Sequence, residues 1–173
     1  MLRKTLIATA LLAAVGAASA ATTNWAAHDS AESALSYVPN GAFFDVYDFS
    51  LLSAQSVTSS VVSLNLPGIY SITGANYMLW KDNGPVGFDG SDTLLSGWAF
   101  DGTTGSTYHS VNLTAGSYFY TVSGVATGGD PLSNAGIYNI ASTITPVPEP
   151  ESYALMLAGL AAVGFLAGRR RRA

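Results

Sequence analysis

From Ala42 to Thr145 the chain runs in short stretches of Val, Ile, Leu, Tyr, Phe and Trp, broken by Gly, Asn, Asp, Ser and Pro. No long stretch keeps the 3.6-residue period of an amphipathic helix. The pattern predicts an all-β domain with strands at 43–52, 57–66, 70–80, 93–100, 107–113, 118–125 and 137–144. Seven strands punctuated by turn residues predict one β-sandwich. The punctuation is Pro67-Gly68, Asp82-Asn83-Gly84-Pro85, Asp101-Gly102, Ala115-Gly116 and Gly128-Gly129, which supply the positive or preset φ of tight reversals. In the first strand, alternation puts Phe43, Asp45, Tyr47, Phe49 and Leu51 on one face. Asp45 therefore sits among aromatic rings. A carboxylate there is costly unless hydrogen-bonded, so it caps backbone N–H groups, meets water at the sandwich edge, or holds a cation.

The two ends of the chain follow a different pattern. Arg3 and Lys4 precede an apolar run from Thr5 to Ala18, and Ala18-Ser19-Ala20 places small residues where a signal peptidase requires them. Residues 1–20 are expected to be a signal helix cleaved after Ala20, so that the mature chain begins at Ala21. Residues 21–41 lead into the domain at 42–145. At 146–152, Pro146, Pro148 and Pro150 predict a stiff, extended linker. Tyr153 to Gly168 carries no charge and is followed by Arg169-Arg170-Arg171-Arg172. A helix over 153–168 rises about 24 Å. That is short of the roughly 30 Å hydrocarbon core, but snorkelling arginines and local thinning offset the mismatch. A single transmembrane helix is expected there, with the basic tail 169–173 in the cytoplasm and the domain outside the inner membrane.

Charge narrows the partners. The chain has 7 Lys and Arg against 11 Asp and Glu. Most of its cations lie in the terminal segments, leaving Lys81 alone among the acids of the domain. An acidic domain repels phosphate backbones, which excludes nucleic acid as a partner. With no cysteine in the chain, disulfides, thiolate metal sites and a cysteine nucleophile are excluded.

Candidate chemistry is sparse. His28 and His109 are the only histidines, and the chain has no G-x-S-x-G, H-E-x-x-H or Walker-type loop. No enzymatic activity is expected; a metal-dependent hydrolase is the second alternative. If His28, Asp29 and Glu32 occupied a helical turn they would share a face and suit a divalent cation. The other reading is a short capping segment, its acids satisfying backbone donors, with Trp25 packed on the sandwich. Asp82, Asp89 and Asp92 gather oxygen ligands in one loop as calcium sites do, but without the EF-hand order; a polar surface turn also explains them. Calcium is the one cofactor these residues would take. Trp80, Trp98 and Tyr108 would suit a sugar-stacking platform if exposed, which makes a carbohydrate-binding module the first alternative.

Val147-Pro148-Glu149-Pro150, an apolar Ala/Gly/Leu helix and the cluster Arg169 to Arg172 together resemble the PEP-CTERM sorting domain. The resemblance implies a processing signal read at Pro148-Glu149-Pro150 by an exosortase, in Gram-negative bacteria that make exopolysaccharide. Trp25, His28, Asp29 and Glu32, followed by Phe43-x-Asp45-x-Tyr47, resemble the FxDxF group of PEP-CTERM proteins, with Tyr47 in place of the last Phe. Val111 to Gly124 is similar to the strand pair of pre-peptidase C-terminal-like jelly rolls, which implies a jelly-roll-like sandwich and no activity. The expectation is an exported protein, transiently in the inner membrane and then on the surface or outside the cell. Its sandwich would be structural or adhesive, with exopolysaccharide as a partner.

Overall fold

The computed structural model describes residues 19–84, 87–129, 134–147 and 150–170. The expected signal segment up to Ala18, together with Pro148, Glu149, Arg171 and Arg172, lies outside them. Among the described residues nine strands form two sheets: β1 (Thr22–Ala27), β2 (Ala31–Val38), β3 (Gly41–Leu51), β4 (Gln55–Leu64), β5 (Ile72–Lys81), β6 (Thr93–Ala99), β7 (His109–Leu113), β8 (Gly116–Ala126) and β9 (Gly136–Pro146). One sheet has the order β1-β3-β8-β5-β6, the other β2-β9-β4-β7. All pairings are antiparallel except β1 with β3. Only β5 and β6 are both consecutive and adjacent; every other connection crosses between the sheets.

The seven expected strands are present, with ends shifted by a few residues. The segment 21–41 differs from expectation: it holds two further strands and no helical turn. In Ala31–Val38 the large residues Leu35 and Tyr37 face outward and are half exposed, while small Ala34 and Ser36 face in. The hydrophobic pattern of this strand therefore does not mark its buried face.

The inward face of β3 is as the alternation predicts. Phe43, Asp45, Tyr47, Phe49 and Leu51 are all buried. They meet Tyr118, Tyr120 and Val122 of β8, Tyr77 and Leu79 of β5, and Val57, Val61, Tyr138 and Ile140 of the second sheet. This core is rich in tyrosine, and buried hydroxyls need partners. Tyr77 donates to the Ser59 carbonyl and Tyr118 to that of Thr114. Burial pushes the Tyr77 hydroxyl up to about 12.

After the last strand one helix follows, α1 (Pro150–Arg170). Proline opens it, as suits a first-turn residue whose missing N–H has no intrahelical acceptor. Among the described residues no helix is long and apolar enough to cross a membrane.

Candidate functional site

Two places in the chain carry functional signals: the polar cluster at Asp45 between the sheets, and the tail behind β9. The cluster begins with a carboxylate only 3% exposed. Asp45 Oδ1 accepts the Ala21 backbone N–H at 2.9 Å, and Oδ2 accepts the Tyr138 hydroxyl at 2.6 Å. Because Tyr138 donates to the carboxylate, its oxygen takes the proton of Tyr47, 2.7 Å away, and Tyr47 in turn accepts from Ser36 at 2.6 Å. The hydroxyl chain runs in one direction, Ser36 to Tyr47 to Tyr138 to Asp45, and each bond polarises the next. Burial raises the Asp45 carboxyl above its ordinary value, and the Tyr138 and Ala21 donors pull against that. The Tyr138 hydroxyl is pushed well up, first by burial and then by its neighbours Tyr47 and Asp45.

Most of the sequence-marked residues converge here. Phe43 stacks on Tyr138, ring centres 5.6 Å apart, and Trp25 packs on Tyr47 at 5.4 Å. Trp25 also meets His28 edge-on, and His28 meets Phe49. His28 Nδ1 faces the Asp29 carbonyl, which can only accept, so the proton sits on Nδ1. Nε2 then accepts from Ser142 Oγ at 2.8 Å, and Tyr120 donates to Ser142. Ser142 is fully buried and His28 is 8% exposed, so this Ser–His pair fastens the turn after β1 to β9 of the other sheet. Asp29 and Glu32 stand apart from the cluster. Glu32 accepts the Asp29 N–H at 3.2 Å, so the three residues do not form one ligand set.

Asp82, Asp89 and Asp92 satisfy their own loop. Asp82 accepts from Gly84 N–H, Asp89 from the N–H and hydroxyl of Ser91, and Asp92 from the N–H groups of Asn83 and Asp89. Among the described residues no group of three or more His, Asp or Glu is arranged to hold a metal ion. The loop's Phe88 covers Trp80, Phe119 and Phe44 on the outer face of the five-stranded sheet. Trp98 lies on the opposite face, stacked on His109 at 4.6 Å and against Tyr77. Trp80 and Trp98 therefore do not share a platform; Tyr108 is exposed.

A further feature had no local signal in the sequence. Asp48 is 8% exposed and lines a cavity of about 180 Å³ with Asn24, Ala26, Asp82 and Ser117. Burial raises its carboxyl, and so does the charge of Asp82.

At the tail, β9 ends at Pro146 and α1 starts at Pro150. The described side chains of α1, from Tyr153 to Val163, are exposed on every side of the helix, Leu155, Leu157, Leu160 and Val163 among them. Behind the two-sheet domain there is thus a helix whose described side chains are apolar and exposed. Residues 146–172 match the PEP-CTERM protein-sorting motif, so the chain carries the signal for exosortase processing and is directed by export toward the cell surface. No curated protein matched the sequence. Among solved structures, the chain is similar to the pre-peptidase C-terminal domain of a collagenase from Bacillus anthracis, with 18% identity and a TM-score of 0.45 over 70% of this chain and 94% of that one. It is also similar to PliG of Aeromonas hydrophila, a periplasmic inhibitor of g-type lysozyme, with 13% identity and a TM-score of 0.42 over 73% of this chain and 100% of that one.

Proposed function

We propose that the chain is a surface or matrix protein whose sandwich is structural or adhesive and non-catalytic. Its leader is removed after Ala20, α1 enters the inner membrane for a time, and an exosortase cuts at Pro148-Glu149-Pro150. The observation that carries this reading is α1 itself. It is apolar on every described face and exposed on all of them, which in water is an unfavourable state. Lipid removes that cost, and Arg169 to Arg172 hold the far end at the cytoplasmic headgroups. The uncharged stretch falls short of a full span by about 6 Å, which favours temporary residence over stable anchoring. In cells that secrete exopolysaccharide, the acidic sandwich released by the cut is a matrix component.

The test is intact mass and fractionation of the protein from its own host, with Pro148, Glu149 and Pro150 each replaced by Ala in the comparison strain. The wild type is expected to lack its apolar helix and to leave the inner membrane, while the triple variant keeps its arginines and stays. A wild-type chain that retains Arg169 to Arg172 in the inner membrane makes α1 a simple anchor and removes the reading.

A further inference from the structure

We propose that Asp45 is the binding site for the chain's own new α-ammonium group: cleavage after Ala20 turns the Ala21 N–H that Asp45 accepts into a cation, closing an ion pair that the uncut chain lacks. The inference rests on the export reading above, through the position of the cut.

The geometry is already in place before the cut. Ala21 N lies 2.9 Å from Asp45 Oδ1, the length of a charge-assisted N–H···O bond. Ala21 does not depend on the residues before it to stay there. Its carbonyl accepts Val46 N–H at 2.8 Å, and Thr22, Thr23 and Asn24 continue in register with Val46, Tyr47 and Asp48 of β3. Among the described residues, the cut removes the backbone bonds of Ser19, which donates to the Ala42 carbonyl and accepts from Phe44 N–H. What remains is a first residue held on β3 with its nitrogen against a carboxylate.

The carboxylate has an unmet need for that charge. Asp45 is almost fully buried, and its two partners are the Ala21 N–H and the Tyr138 hydroxyl, both neutral. Lys81 is the only Lys or Arg between Ala21 and Pro146, and it stands on β5, paired with Thr93 and Tyr118 across the sheet. Burial without a counter-charge disfavours the ionised form, in line with the raised Asp45 carboxyl. An ammonium at the Ala21 position reverses the balance, and the directional hydroxyl chain ending on Oδ2 already favours the anion.

Two consequences separate this from a purely structural carboxylate. In the cut chain, Asp45→Asn leaves a cation without its partner; in an uncut chain it removes a buried anion without one. The same substitution should therefore act in opposite directions on the two forms. Second, the ion pair raises the α-amine above its ordinary range of about 7.7–8.0, so less of it is nucleophilic at pH 7.5.

The experiment uses the chain exported by a host that lacks an exosortase and a leaderless form that keeps Met-Ser-Ala ahead of Ala21, both ending at Ala173, in the same mild detergent. Intact mass first establishes the start of the exported chain. That chain then has two amines, the Ala21 nitrogen and Lys81, so an amine-acetylating reagent at pH 7.5 reads one against the other. The Ala21 amine of the wild type is expected to react at least about tenfold more slowly than in Asp45→Asn, one unit of pKa or more, with Lys81 unchanged. Its protection in the wild type should vanish in urea, a readout that needs no variant. Urea midpoints should fall with Asp45→Asn in the exported chain and not in the extended one. Equal Ala21 reactivity in wild type and Asp45→Asn, or the same midpoint shift in both forms, overturns the proposal. So does a start at any residue other than Ala21, a result that leaves the Pro148-Glu149-Pro150 test untouched.

Discussion

Tyr138 is the hinge of the buried polar cluster, since its one hydroxyl serves both Asp45 and Tyr47. Tyr138→Phe leaves a carboxylate oxygen and a hydroxyl proton without partners in a dry place, a loss of about 1–3 kcal/mol. Urea unfolding of the two chains at neutral pH measures it. Asp48 gives the pH dependence. Burial and Asp82 raise its carboxyl above the ordinary 3.8, so the folded chain keeps that proton to higher pH than the unfolded one. Its contribution is full below 3.8 and is lost as pH rises through the raised value. Asp89 and Asp101 lean the other way. Donors from Ser91 and Thr103 lower them, and what they add is lost as pH falls. Asp48→Asn is therefore expected to raise the urea midpoint at neutral pH, to change little below pH 3.8, and to flatten the slope between. At this scale the sequence was informative where the signal was local. Alternation alone placed Asp45 among rings, but Tyr138 lies 93 residues away and Ser142 is 114 from His28. No spacing rule reaches across that distance, so the partners were legible only in three dimensions.

Among the elements, the strands with a large apolar stripe were legible and the two without one were not. β1 is Thr-Thr-Asn-Trp-Ala-Ala, and it bends where Ala26 takes φ of +58°, its N–H held by the Asn24 side chain. Apart from Val38, which is buried in the core at its end, β2 turns small residues inward and shows Leu35 and Tyr37, so its largest apolar side chains point away from the core. Both gain their place by pairing, β1 on β3 and β2 on β9, rather than by their own pattern. The turn before β9 makes a sharper demand. A Cβ at Gly128 would stand 2.5 Å from the carbonyl oxygens of Ile69 and Ala135. These are backbone atoms that cannot step aside. Gly128→Ala should cost about 1–3 kcal/mol, as overpacking does, and lower the thermal midpoint. The apolar helix was legible as an element but not in its start: the prolines predict an extended linker that includes Pro150 and a helix from Tyr153, whereas α1 begins at Pro150, where a proline is tolerated in the first turn.

For the whole molecule, the consequence lies in the order of events. Because the connections cross between sheets at nearly every step, hardly any strand finds its neighbour next to it in the chain. β9 lies between β2 and β4, and β8 between β3 and β5, so each sheet lacks an inner member until the last third of the chain has been made. A chain ending at Gly129, before β9, is expected to show no cooperative urea transition, since β2 would then have no partner within its sheet. A polypeptide fed through a narrow channel from its N-terminus meets the same situation. Before β8 and β9 emerge, only the pairs β1 with β3, β4 with β7 and β5 with β6 can form, and neither sheet is complete. The keystone strand arrives last, and its final residue, Pro146, is also the first residue of the sorting motif. Completion of the fold and delivery of the address label are thus timed by a single stretch of chain.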